Sequence, residues 1–295
     1  MKTKIQNKIA INIIRIIAGL VVIILLFLLG DILIAGVPHI SWHFLTAASQ
    51  SFESGGGIGV QLFNSIYLLI LTLIISFPIS LGAGIFLSEY APKNIVTSIV
   101  RMAIEVLSSL PSVVVGLFGF LLFVVQLQMG FSILSGAIAL TFFNLPLLTR
   151  NIEESLRAVP NLQREAGMSL GLSKWRTVTR IVLPEALPGI VTGVVLGAGR
   201  VFGEAAALIY TAGQSATNIN FGNWNPFNAA SPLNLMRPAE TLAVHIWKIN
   251  SEGVMPDASA VSAGASAVLI IVVLLFNIFA RIIGNSLYRK LTATK

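Results

Sequence analysis

Six stretches of mostly apolar residues, at 11–37, 64–88, 107–127, 131–148, 187–212 and 260–283, constrain this chain more than anything else in it. A helix rises 1.5 Å per residue, so about 20 apolar residues cross the hydrocarbon core of a bilayer. Inside that core the backbone must satisfy its own hydrogen bonds, which favours helices over isolated strands. Composition agrees: 11% of the 295 residues are charged and 55% are hydrophobic, with a mean hydropathy of +0.87, whereas an ordinary soluble domain is about 25% charged. The expectation is an all-α integral membrane protein of six spans, with residues 1–295 forming a single transmembrane domain.

A formal charge of +7 and a pI near 10.0 fit either nucleic-acid binding or the excess of Lys and Arg found in cytoplasmic loops. Position decides. Six spans put both termini on one side. That side holds Lys2, Lys4, Lys8, Arg15, Lys93, Arg101, Arg150, Arg157, Arg164, Lys174, Arg176, Arg180, Arg281, Arg289, Lys290 and Lys295, which are 16 of the 19 basic residues. The other side holds Arg237 and Lys248, and Arg200 lies within the fifth span. The asymmetry places both termini in the cytoplasm and needs no nucleic acid. The first apolar run exceeds the roughly 7–15 residues of a cleavable leader and no small-residue cleavage site follows it, so it is read as a retained span. The chain has no Cys, which excludes disulfides, thiol nucleophiles and Cys-based metal sites.

Between the fourth and fifth spans lies a segment too charged for a bilayer, about 160–184, with Arg164, Glu165, Lys174, Arg176 and Arg180. Pro160 suits the start of a helix, Gly171 the end of one, and Ser173 the cap of the next. Two short helices with a glycine elbow on the cytoplasmic side suggest a contact with another protein. Glu165-Ala166-Gly167, then Gly171, then Ile181, Leu183 and Pro184 resemble the "EAA" loop of bacterial ABC importer permeases, with Gly167 where Ala is usual. The resemblance implies a six-span type I importer permease fold in which this loop is a coupling helix. Glu165 would then anchor a partner ATPase subunit, and Gly167 and Gly171 would allow close approach.

Arg200 and Glu204 are four residues apart in the fifth span, a spacing that puts them on one face of a continuous helix. Ionisable residues at membrane depth usually face a bundle interior or a water path, and a guanidinium matches phosphate or carboxylate oxygens. Either a substrate pathway or an Arg–Glu pair that orients two helices satisfies the spacing. Glycines 193, 197, 199 and 203 read as packing positions. An intramembrane enzyme with Glu204 as general base lacks a second catalytic group at suitable spacing.

Leu110-Pro111-Ser112-Val113-Val114-Val115-Gly116, Asn144-Leu145-Pro146-Leu147 with 153–160, and Gly199-Arg200 with Gly203-Glu204-Ala205 resemble phosphate-specific ABC permeases of the PstA type over about 60–285. That likeness implies uptake of inorganic phosphate, with sulfate or molybdate as the alternative cargo. The implied partners are a PstC-type sister permease, a dimer of ATPase subunits and an external phosphate-binding protein. No Walker A sequence occurs, so ATP and Mg are expected on the ATPase and no cofactor in this chain.

The remaining features read as structural. His39, His43 and His245 lack metal-site spacing, Arg101 and Glu105 read as a surface pair at the membrane edge, and Gly55-Gly56-Gly57 reads as a flexible loop. Residues 213–258, with Trp224, Met236 and Trp247, form a long external loop that matches no known pattern.

Overall fold

The computed structural model describes the backbone of residues 2–50, 53–215, 218–252 and 256–292, with side chains from residue 7 onward. Lys295 and the side chains of Lys2 and Lys4 lie outside the described residues. Among the described residues all regular structure is helical. Five helices are long and apolar enough to cross a membrane, or six if one sharply bent pair counts as a span.

The first helix, α1, Lys2–Gly36, is exposed along its apolar length and joins the bundle at its end, where Gly36 meets Ala263. A short α2, Trp42–Thr46, is capped by Ser41 Oγ, which accepts from Phe44 N at 3.1 Å. Next, α3, Gly59–Ile85, runs through Pro78 and continues as a wide π turn over Phe86–Tyr90. The stretch between the expected spans 64–88 and 107–127 is largely helical rather than a loop: α4, Ile95–Ser108, starts where Asn94 Oδ1 accepts from Thr97 N at 2.9 Å. Asn94 is a cap residue, a signal that the low hydropathy of this stretch hid.

The third span also differs from the expected 107–127. The chain bends by 97° between α4 and α5, Ser112–Gly119, which continues as a π turn over Phe120–Gln126. Pro111 explains the corner, since it lacks an N–H and biases Leu110 away from helical geometry. Helix α6, Ile133–Arg157, extends nine residues past the expected end at 148. Hydropathy stops there but helicity does not, because Arg150–Glu154 at 2.9 Å and Arg157–Glu153 at 2.9 Å brace the polar extension at i,i+4.

Two short helices follow, α7, Asn161–Ser169, and α8, Lys174–Thr177. The π turn Val178–Val182 fuses α8 to α9, Leu183–Phe202. The expected fifth span, 187–212, is therefore divided, because the helix stops at Phe202 and α10, Ala206–Thr211, starts anew. Finally α11, Leu242–Glu252, lies within the segment 213–258 that was expected to be a loop, and α12, Ala258–Thr292, overruns the expected 260–283 at both ends.

One core joins Leu68, Leu140, Ala198, Val201 and Leu208 of α3, α6, α9 and α10. A second, towards the α7–α8 segment, joins Ile85, Leu148, Ile152, Val178, Val182 and Ile190. A third gathers Phe44, Ile58, Leu242, Ile249 and Val268. Lipid is as apolar as these side chains, so close packing rather than water exclusion holds the helices together. The α3–α6 seam shows this: a Cβ on Gly84 would sit 2.6 Å from Ile152 Cγ2.

Candidate functional site

Three places concentrate polar chemistry. In the last turn of α9 the half-buried Arg200 guanidinium carbon sits 3.8 Å from the centre of the Phe143 ring, a cation–π contact. Among the described residues Arg200 has no hydrogen bond and no ion pair. Glu204 is not its partner. The helix ends between them, and the buried Glu204 carboxylate accepts the Ala207 N–H at 3.1 Å, capping α10. The expectation of one helical face fails because helical spacing holds only while the helix continues. The guanidinium thus keeps its five donors and its whole charge.

The glycines of α9 split in two. A Cβ on Gly193 would lie 2.8 Å from Asn151 Cβ, and one on Gly197 would lie 2.7 Å from Asn144 Oδ1. These two let α6 approach. The nearest atoms to a Cβ on Gly199 and on Gly203 are 3.9 Å and 3.5 Å away, so packing does not require glycine at either.

The second place is the segment α7–α8. Gly171 adopts φ +79°, a left-handed conformation that glycine tolerates, and Ser173 Oγ accepts from Arg176 N at 3.4 Å. Gly167 is buried, and a Cβ there would be 2.7 Å from Ile181 Cδ1. Packing with Ile181 turns Glu165 and Ala166 outward, where both are exposed. Leu162, Leu170 and Trp175 are 75%, 82% and 58% exposed. Leu183 and Pro184 lie half-buried at the root of α9. An apolar face on a segment otherwise too charged for lipid suits a protein partner.

The third place escaped the sequence reading, which treated 213–258 as a plain loop. Arg237 is 4% exposed. It donates through Nη2 to Asn64 Oδ1 at 2.8 Å and Pro232 O at 3.1 Å, and through Nη1 to Pro238 O at 3.3 Å, while its Nε has no partner. Burial pulls this guanidinium down to about 10, with the nearby Tyr67 opposing the shift. Glu240, 1% exposed, accepts from Gln61 Nε2 at 2.9 Å and meets His245 Nδ1 at 3.1 Å and Lys248 Nζ at 3.8 Å. His245 is thus a buried partner of a carboxylate rather than a scattered surface histidine. The available signal was a polar face at the start of the second span: Gln61, Asn64, Ser65 and Tyr67 recur at helical spacing where an apolar helix has no other use for them.

Arg101 and Glu105 do not pair. Arg101 Nε binds Glu153 Oε1 at 2.8 Å, and Arg150 is 3.4 Å from Glu105. The reason is that α6 carries its own carboxylates past the membrane edge and outcompetes the neighbour on α4. No group of His, Asp and Glu among the described residues is suited to a metal ion.

The family described as binding-protein-dependent transport system inner membrane component matches residues 78–293. The chain is 50% identical over 293 residues to the Probable ABC transporter permease protein YqgI of Bacillus subtilis (strain 168), covering 99% of this chain and 100% of that protein. It is 34% identical over 261 residues to the Phosphate transport system permease protein PstA 2 of Mycobacterium bovis (strain ATCC BAA-935 / AF2122/97), covering 88% and 81%. Among solved structures, a chain of the inward-facing MetNI methionine ABC transporter aligns with TM-score 0.57 at 19% identity, covering 78% of this chain and 94% of that one. That last likeness is one of fold.

Proposed function

Because the chain belongs to the family of binding-protein-dependent transport system inner membrane components, we propose that it is the permease subunit of an ATP-driven importer of inorganic phosphate. Membership makes it a multi-pass inner-membrane subunit of an ABC importer, not an enzyme, that works with an ATPase and a substrate-binding protein. Phosphate as the cargo is our reading. Its support is the free guanidinium of Arg200, together with 34% identity to a protein named as a phosphate permease.

A half-buried arginine with unused donors offers an oxyanion two parallel charge-assisted hydrogen bonds, and no local carboxylate neutralises it. Glu204 shapes the pathway by capping the start of α10 rather than by holding Arg200. The rival role of Glu204 as a general base is weakened by its bond to the Ala207 amide. A PstC-type sister permease completes the pathway, an external phosphate-binding protein delivers the anion, and both termini face the cytoplasm. Two ATPase subunits carry ATP and Mg, one of them docking on α7 through Glu165, Ala166 and the exposed Leu162 and Leu170. ATP binding then biases the spans between inward-open and outward-open states.

Labelled phosphate uptake in vesicles holding the chain with its sister, ATPase and binding protein tests this, with wild type compared with Arg200→Gln. Uptake that needs ATP, resists excess sulfate and disappears in the variant while the ATPase stays bound supports the reading. Inhibition by sulfate or molybdate would reassign the cargo to another oxyanion. Undiminished uptake in the variant would leave Arg200 a helix-packing role only.

A further inference from the structure

The coupling segment is adjacent in sequence to α6 and α9, yet its strongest polar contact is with neither alone. Arg164 of α7 grips Glu89, 75 residues earlier, at the cytoplasmic end of α3: Nη2 to Oε1 at 2.7 Å, and Nε to Oε1 and Oε2 at 3.2 and 3.1 Å. The same guanidinium donates to Val159 O at 2.6 Å and Leu156 O at 2.7 Å, carbonyls at the end of α6. Its side chain is 15% exposed and that of Glu89 is 7%. A second contact repeats the connection, with Lys174 of α8 lying 4.7 Å over the ring of Tyr90.

Buried ion pairs seldom add stability over well-packed apolar groups, so their retention is better explained by the geometry they impose. Here one planar fork on α7 closes on two other elements at once, the ends of α3 and α6, which lysine's single ammonium does not do. The far end of α3 is equally fastened, since Gln61 and Asn64 hold Glu240 and Arg237 of the external segment. The helix is a rod with a polar clamp at each end.

We propose that the Arg164–Glu89 pair is the joint that passes movement of the coupling segment to α3, and that α3 carries it to the external mouth. The inference rests on the reading of 161–184 as the ATPase-docking segment. Without the joint the ATPase still docks on the exposed face of α7, but docking and the spans move independently.

The test uses the whole complex, with sister permease, ATPase and phosphate-loaded binding protein, in nanodiscs and in liposomes. Glu89→Gln keeps the side-chain shape and removes the charge. The expected result is that the ATPase still copurifies while phosphate moved per ATP hydrolysed falls about tenfold, within the range of ordinary coupling energies. Arg164→Lys, which keeps charge but loses the fork, falls likewise and serves if Glu89→Gln does not assemble. Because the chain has no cysteine, Glu89→Cys with Arg164→Cys can be bridged by a short bis-maleimide, and bridging restores the ratio. A ratio within twofold of wild type in Glu89→Gln and Arg164→Lys, with only thermal stability lowered, overturns the joint and leaves the docking reading intact. A wild-type chain that binds no ATPase overturns both.

Discussion

Glu240→Ala is the sharpest probe of the buried cluster that ties segment 230–248 to α3. The carboxylate is 1% exposed and receives Gln61 Nε2 at 2.9 Å and the His245 ring at 3.1 Å. Lys248, 3.8 Å away, is 27% exposed and counts for little because water screens it. Removing the carboxylate strips His245 of its one partner, since its Nε2 already has none, and leaves Gln61 Nε2 only Ser49 Oγ at 2.8 Å. Leaving buried groups unpaired costs about 1–3 kcal/mol each, so the local loss is about 3 kcal/mol. The segment 230–245 is held down by amides that report its opening: Ile133 N donates to Arg237 O at 3.0 Å, Leu134 N to Leu235 O at 2.9 Å, and Leu242 N to Ser65 Oγ at 2.8 Å. About 3 kcal/mol corresponds to roughly a hundredfold faster exchange where this opening controls it. Hydrogen exchange read by mass spectrometry should show that acceleration in peptides covering 133–134 and 242, with 148–156 unaffected. Glu240→Gln, which keeps an acceptor oxygen and the volume, should cost about 1 kcal/mol. Equal exchange in wild type and Glu240→Ala would refute the view that this carboxylate pins the segment 230–245 to α3.

Three further outcomes follow from the geometry. Gly197→Val should lower the thermal midpoint by an overpacking cost of about 1–3 kcal/mol, because its Cβ would sit 2.7 Å from Asn144 Oδ1, whereas Gly199→Ala, with 3.9 Å of clearance, should leave the midpoint in place. Burial holds Arg237 at about 10, well below the usual guanidinium range. Its buried charge burdens the fold fully below pH 10, and the burden lifts as pH rises through that window because the unfolded chain then binds more protons. Wild type should therefore gain on Arg237→Met by about 1 kcal/mol between pH 9 and pH 11 in paired unfolding curves, and a difference independent of pH would contradict the assignment. Leu170→Asp, at a side chain 82% exposed, should abolish ATPase copurification with no shift in thermal midpoint, and retained copurification would move the docking face elsewhere.

The helical, membrane-crossing class was legible because hydropathy over 20 residues is a strong signal, and the motif around Glu165 marked the family. Helix ends were not legible where a helix outruns its apolar run, as at Arg150–Arg157, since the buried Ile152 and Leu156 that hold it there are set among charged residues and ion pairs that lower the local hydropathy. Neither was the corner at Pro111, because an apolar run looks the same whether it is straight or bent by 97°. The two most informative side-chain arrangements, Arg164 with Glu89 and Arg237 with Asn64, join residues 75 and 173 positions apart. No local spacing rule reaches that far.

The division of α9 from α10 ties fold to chemistry most directly. Had the helix run on through Gly203, the i,i+4 spacing would have set Glu204 against Arg200 and neutralised the charge on which the proposed phosphate pathway rests. Instead the chain turns at Gly203, and Glu204 spends its carboxylate on the amide of Ala207 at 3.1 Å. Arg200 is left with an aromatic ring as its neighbour, whose face attracts a cation weakly, by about 0.5–2 kcal/mol, without occupying its donors. A carboxylate partner would bind the guanidinium more firmly and would have to be displaced each time an anion passed. The ring orients the fork at small cost and leaves its donors open, which is the arrangement the proposed phosphate pathway requires.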